Sequence, residues 1–347
     1  MSKPIIMIRK LYTIAITSLL IGSQYACQKA EEVGLYSIYQ LDKYKQDKPV
    51  IELDPTVWEK QSNLMTTFPK GIEVYKRTAA INAKGASLFL LAFNPKLNIE
   101  LKPVLSSSAK TPTAFYNDES GDVYACINGG YFFGTSSLSL VQYNGVVNAT
   151  NVASLNRSYN GVSTPYYPTR AAFGLSSSYV PSVAWVYNVT AGAGGLYAYS
   201  IPSPNAEGAP PQARPSNAFP AGGVLWDKQT SIGGSPMLVM DSVINITDVA
   251  EMVTASATPS SARPRSAIGY LKNGNVVIVA AQGGSTEIPG LTMQELAEEM
   301  LAVGCMGAVN LDGGGSTSLV VDGQKTVVPS DAAGERNVVS ALIVKKR

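Results

Sequence analysis

Asn310-Leu311-Asp312-Gly313-Gly314-Gly315-Ser316-Thr317 concentrates more chemical potential than any other stretch of this chain. An apolar run ends in a carboxylate, and three glycines then let the backbone approach a ligand closely. Consecutive amides in such a loop can form a nest for an anion, with the Ser316 and Thr317 hydroxyls as further donors. An acid beside a phosphate cradle suits hydrolysis of a phosphodiester; the plainer alternative is a tight glycine turn between two strands. Ile127-Asn128-Gly129-Gly130-Tyr131-Phe132 has the same layout, and the Asn128 amide can meet a sugar hydroxyl or a ligand oxygen. Arg263-Pro264-Arg265-Ser266 and Gly334-Glu335-Arg336-Asn337 each place arginine just before an apolar run. There a guanidinium can grip phosphate or carboxylate bidentately, or simply be solvated. An oxygen-rich cation site built from Asp312, Asn310 and Asn128 is a further alternative.

The chain has no histidine among its 347 residues. That removes Ser-His-Asp and Cys-His hydrolases, HExxH proteases and three-histidine zinc sites. Proton transfer falls to carboxylates, lysine, tyrosine or water. Ser107 and Lys110 form one SxxK, but Lys325-Thr326 is followed by Val327, so the KTG partner of a Ser-Lys hydrolase is missing. No GxSxG, Walker loop or GxGxxG occurs. Charged residues at 15% and hydrophobic ones at 45% exclude a disordered chain. A net charge of +2 without a basic cluster argues against nucleic-acid binding.

These residues need strands to hold them. Ser87–Phe93, Asn98–Val104, Val123–Asn128, Ala171–Leu175, Val183–Tyr187, Met237–Asp241, Ala267–Leu271, Val276–Ala281, Met306–Leu311, Ser318–Val321 and Val338–Val344 all read as strands: short, β-branched or aromatic, and bounded by turn residues. One helix is clear. Thr292 and Glu295 form a capping box, Met293, Leu296, Ala297, Met300 and Leu301 line one face, and Gly304 ends it. Strand, helix and strand over 276–311 form a crossover unit, expected to pair 276–281 with 306–311 in parallel. Residues 202–220, rich in Pro, Ala and Asn, read as a long loop, either a lid or an insertion. The expected fold is α+β (mixed α/β): one sheet-dominated catalytic domain over 86–347, with few helices and glycine-rich loops at strand ends.

The first 26 residues read as a leader. Lys3, Arg9 and Lys10 precede the apolar run Leu11–Gly22, which is too short to span a bilayer. Ala26 before Cys27 resembles a bacterial lipoprotein cleavage site, with Cys27 the lipidated residue and 27–85 a tether and small N-terminal region. The chain is then exported and lipid-anchored at the outer membrane or cell surface, or else periplasmic or secreted. The small positive balance of 27 basic against 25 acidic residues belongs to the leader, which carries three basic residues and no acid. Cys126 and Cys305 lie in apolar runs and read as buried free thiols, with a disulfide as the alternative.

Taken together, INGGYF at 127–132, GGSPMLV at 233–239, RSAIG at 265–269, GLTMQELAEEM at 290–300, NLDGGGSTSL at 310–319 and ERNVVSAL at 335–342 resemble the phosphodiester glycosidase family, in the family's order and over most of 87–347. NLDGGGS is the most specific of them. Two positions depart from its pattern: Gln282 stands where an acid is usual, and Ser242 where glycine is usual after Asp241. The resemblance implies cleavage between a sugar's anomeric carbon and a phosphodiester oxygen, with a carbohydrate phosphodiester as partner; no cofactor is expected, and a divalent metal stays open as an alternative. For that reaction the residues suggest Asp312 as the carboxylate at the anomeric centre or on water, Glu335 as the second candidate carboxylate, and Arg265 with Arg336 gripping phosphate. Gly313, Gly314, Gly315, Ser316 and Thr317 would assist, and Asn128, Gly129, Gly130 and Asn310 would shape the sugar pocket. The competing expectations are a non-catalytic glycan-binding lipoprotein of the envelope and a polysaccharide-assembly factor.

Overall fold

In a computed structural model of the protein, residues 49–190 and 193–347 are described. The expected leader over 1–26, Cys27 and the tether up to residue 48 lie outside the described residues. The strand-like runs form strands, and their composition follows from what covers them. Leu88–Phe93 is apolar at every position because both of its faces are covered. Phe89, Leu91 and Phe93 enter a core shared by three sheets, while Leu88, Leu90 and Ala92 enter a second core on the opposite face. Val276–Ala281 divides the same way, with Ile278 on one side and Val277 and Val279 on the other.

The largest sheet has eight strands in the spatial order Trp58–Lys60, Ile72–Arg77, Leu88–Phe93, Val276–Ala281, Arg265–Leu271, Cys305–Asn310, Met237–Met240 and Val243–Ile244. A five-stranded sheet runs Gln324–Lys325, Leu319–Val321, Val123–Asn128, Val338–Lys346 and Ile99–Lys110. A seven-stranded sheet is built around Arg170–Leu175, Pro181–Asn188 and Thr230–Gly233. Within the expected 27–85 tether and small N-terminal region, Trp58–Lys60 forms one edge of the largest sheet and Ile72–Arg77 the strand next to it.

The Met293–Ala302 helix has both halves of its capping box, and it lays Met293, Leu296, Ala297 and Met300 on the second core. The pairing expected of its flanking strands needs correction. Arg265–Leu271 lies between Val276–Ala281 and Cys305–Asn310 and is antiparallel to each. The two flanking strands therefore run in the same direction but do not touch. Arg265–Leu271 pairs first with its hairpin partner, so the crossover must step over it. Every strand pairing among the described residues is antiparallel, and the helices are Pro112–Asp118, Thr254–Ala257 and Met293–Ala302. The molecule is sheet-dominated as expected, but mostly β. The α+β label fits only loosely, because the sheets cover one another and leave one face for a helix.

Cys126 and Cys305 are buried free thiols in different sheets. The 202–220 loop is tied down by Tyr199, which donates to the Ser216 carbonyl at 2.7 Å, and by Thr169, which accepts from the Ser203 amide at 2.9 Å. A fully buried carboxylate, Glu251, joins the first sheet to the third. It accepts from the amides of Ala171 and Met237, from the hydroxyls of Ser235 and Thr247, and from the Trp185 indole, all at 2.6–3.1 Å.

Candidate active site

The Asp312 loop lies where the chain leaves one sheet for another. Cys305–Asn310 ends in the eight-stranded sheet, and Leu319–Val321 begins in the five-stranded one. Neighbours from both sheets pin the crossing. The Leu311 amide donates to the Ser266 carbonyl at 2.8 Å, the Asp312 amide to Gly129 at 3.1 Å and the Gly314 amide to Pro264 at 2.9 Å. Asn128 is the pivot. Its Nδ2 donates to the carbonyls of Asp312, at 2.7 Å, and Gly129, while its Oδ1 accepts from the Ser266 hydroxyl at 2.7 Å and the Ser318 amide. Asn128 is fully buried with its amide consumed, so it orients the Asp312 backbone and has nothing left for a sugar or a cation. Asn310 serves the same seam by donating to Ser235, Leu311 and the Tyr131 hydroxyl, and its own Oδ1 is buried without a partner.

Beside this loop is a cavity of about 290 Å³, lined by Asp312, the Gly313–Gly315 backbone, Tyr131, Arg263, Arg265, Arg336, Ser256 and Thr258. Burial pushes the Asp312 carboxyl up to about 6, against the opposing pull of the Ser316 hydroxyl, the Gly313 amide and the Arg336 charge. The Gly313 amide donates to it at 2.9 Å. Ser316 Oγ lies beside the carboxyl, near enough to favour its charged form but outside ordinary hydrogen-bond geometry. Burial, reinforced by the Asp312 charge, raises the Tyr131 phenol well above its ordinary value, so it stays protonated. It accepts from Asn310 at 3.1 Å, and among the described residues no acceptor takes its own hydrogen.

The three arginines differ. Arg265 is buried and spends four of its five N–H groups on backbone carbonyls: Leu291, Ala257, Thr258 and Ser261, at 2.6–3.0 Å. It braces the 257–261 wall of the cavity and brings a positive charge, not an open fork. Arg336 makes a bidentate pair with Asp331 at 2.8 and 3.0 Å, folded tightly over Gly315. A Cβ at Gly315 would collide with both partners, which is why glycine stands there. Arg263 is exposed and, among the described residues, its guanidinium has no partner.

The other expected residues take supporting places. The Glu335 carboxylate accepts from the Ser318 hydroxyl and does not line the cavity. Through Ser318 it buttresses Asn128. Of the loop amides, Gly313 serves its neighbour's carboxyl and Gly314 serves Pro264, so the nest is partly spent within the protein. The Ser316 and Thr317 hydroxyls are buried without partners. Gly129 and Gly130 lie tightly against Ser340 and against Gly233 and Ser139. None of 202–220 lines the cavity; the segment is tied instead to Tyr199 and Thr169.

Asp331 and Thr258 were not singled out from sequence. Asp331 lies in an unpatterned polar loop, and Thr258 gives no signal before the short Thr254–Ala257 helix is known. A larger cavity, about 540 Å³, lies beside Tyr116 and Glu119. Its two acids are already paired, Glu119 with Lys102 and Lys345 and Asp122 with Lys346, and among the described residues no arginine lines it.

Residues 121–345, well over half of the chain, match the phosphodiester glycosidase family model. The prophage-derived protein YomE of Bacillus subtilis is 38% identical over 81 residues, which make up 23% of this chain and 12% of that protein. Human N-acetylglucosamine-1-phosphodiester α-N-acetylglucosaminidase is 42% identical over 67 residues, 19% of this chain and 13% of that protein. These matches thus span about an eighth of the relatives' length. Among solved structures, a hypothetical protein from Synechocystis aligns with a TM-score of 0.54 at 20% identity, covering 81% of this chain and 63% of the other. The zebrafish N-acetylglucosamine-1-phosphodiester α-N-acetylglucosaminidase catalytic domain, auto-inhibited by its pro-peptide, aligns at 0.52 and 16%, covering 84% and 89%. At these identities the two structures share the fold.

Proposed function

Because the chain belongs to the phosphodiester glycosidase family, we propose that it hydrolyses the bond between a sugar's anomeric carbon and a phosphodiester oxygen, with Asp312 as the working carboxylate. The observation that carries this reading is the cavity that gathers the Asp312 carboxyl, three arginines and a protonated phenol, where burial pushes that carboxyl up to about 6. Water supplies a hydroxyl to the anomeric carbon, and the bond from that carbon to oxygen breaks. The oxygen leaves with phosphorus as a phosphomonoester, and the water's remaining proton passes to Asp312 and then to solvent. A carboxylate with a pKa near 6 is ionised at neutral pH yet basic enough to take that proton or to stabilise an oxocarbenium-like centre. The leaving phosphate needs little protonation, so Tyr131 serves as a hydrogen-bond donor and not as an obligate acid. Arg265 is a positioning residue that adds charge. Glu335 acts through Ser318 and Asn128. Arg336, paired with Asp331, adds positive charge to the cavity wall.

The human relative's name specifies N-acetylglucosamine, which makes its 1-phosphodiester the first substrate to try. The test is a panel of N-acetylglucosamine-1-phosphodiester, UDP-N-acetylglucosamine and an aryl N-acetylglucosaminide, with phosphomonoester and reducing sugar both followed. Release from the first, abolished in Asp312→Asn, supports the reading; a substrate that binds and is never cleaved overturns it in favour of a glycan-binding lipoprotein. The leader-like 1–26 segment and Cys27 support an exported, lipid-anchored protein. Loss of membrane association in Cys27→Ser, with the lipid absent by mass spectrometry, is its test.

A further inference from the structure

Arg263 and Arg265 stand two residues apart, yet the fold disposes of them oppositely. The Arg263 backbone is fixed in both directions: its amide donates to Leu291 at 3.1 Å, and its carbonyl accepts from Leu291 at 2.9 Å. Gly290 and Gly283 press against this same segment, and a Cβ on either would strike the Arg263–Pro264 backbone. At Gly290 the φ of +96° adds a second reason for glycine. So the backbone of a residue with a free side chain is pinned by two glycines and a two-way bridge. Across the cavity wall, Thr258 has φ 41° and ψ 61°, a left-handed conformation that is costly for a β-branched residue. Its carbonyl accepts from Arg265, while its hydroxyl is buried and unpartnered. Two features that cost stability thus meet at one wall: a strained threonine and an orphaned hydroxyl.

We infer that Arg263, with the Thr258 hydroxyl, is the phosphate-recognising subsite of this cavity, and that it takes the non-bridging oxygens of a monoanionic phosphodiester. Among the described residues it is the one guanidinium lining the cavity whose fork is open. Arg265 is held by four carbonyls and Arg336 by Asp331. A planar fork matches the two non-bridging oxygens, and the Thr258 hydroxyl, turning toward one of them, gains the acceptor it lacks. The assignment deepens the proposed function and rests on it for the identity of the sugar-bearing substrate, but the phosphate contact is testable alone.

The full chain and the variants Arg263→Gln, Arg263→Lys and Thr258→Ser are titrated calorimetrically with methyl phosphate and with acetate. The expected result is binding of methyl phosphate by the wild type, weakened about tenfold or more in Arg263→Gln and partly restored in Arg263→Lys, with acetate bound more weakly throughout. Thr258→Ser keeps the hydroxyl and should bind like the wild type. In turnover, Arg263→Gln should raise KM for the sugar phosphodiester with little change in kcat, and by a larger factor than it raises KM for an aryl glycoside. Equal affinity in wild type and Arg263→Gln, no affinity in the wild type, or acetate bound as well as methyl phosphate would each overturn the inference. Arg263-dependent phosphate binding without any hydrolysis would sink the proposed function and leave this subsite standing. Hydrolysis with an unchanged KM in Arg263→Gln would do the reverse.

Discussion

Two interior carboxylates of this molecule have opposite fates. Glu251 is fully buried and surrounded by five donors, two of them backbone amides. Asp312 is less deeply buried but receives one hydrogen bond of ordinary geometry, from its neighbour Gly313, and its carboxyl is pushed up to about 6. Burial that is fully compensated makes a carboxylate a structural joint; burial that is not leaves it reactive. Glu251 joins the first and third sheets, whereas Asp312 stands where the first sheet hands the chain to the second.

The sharpest way to break this contrast is to exchange the consequences. Asp312→Asn should lose about 10³-fold in kcat/KM and keep the fold, measured by phosphomonoester release beside circular dichroism. Glu251→Ala should do the opposite, losing about 3 kcal/mol of stability in denaturant unfolding because several buried donors are orphaned together. If Asp312→Asn unfolds the protein, or Glu251→Ala unfolds like wild type, the distinction fails. The pH behaviour sharpens it further. Folding raises the Asp312 pKa from 3.8 to about 6, so ionising this group weighs against the fold. The penalty is absent below about pH 4, grows to about pH 6 and is complete above it. Asp312→Asn should therefore be more stable than wild type above pH 6, by up to about 3 kcal/mol, and equal to it near pH 3. If Asp312 works ionised, kcat/KM should fall about tenfold per unit below pH 6, and a fall above pH 6 would assign it the role of acid instead. Last, Tyr131→Phe should cost about tenfold in kcat/KM with unchanged unfolding, since a single donor is removed.

Much of the candidate site was readable because NLDGGGST packs acid, glycines and hydroxyls into one continuous run. Partner allocation was not readable. In Arg263-Pro264-Arg265 the two arginines are equivalent as text. Which of them is free depends on carbonyls at 257, 258, 261 and 291, brought together by a short helix and a bridge with no local signature. Glu335 shows the same limit, since the Ser318 hydroxyl that claims it lies 17 residues upstream. Strands such as Leu88–Phe93 were evident from composition alone. Their neighbours were not: whether Val276–Ala281 touches Cys305–Asn310 is decided by the Arg265–Leu271 strand, already in place as a hairpin partner.

The Asn128 pivot has a temporal consequence. It bonds to groups 138, 184 and 190 residues further along the chain, and the strand beside it, Val338–Lys346, follows every other described strand in sequence. Contacts of such high sequence separation form late and together. A partly made or C-terminally cut chain therefore has Asp312 without its orientation, so hydrolytic competence should appear all at once, with completion of the five-stranded sheet.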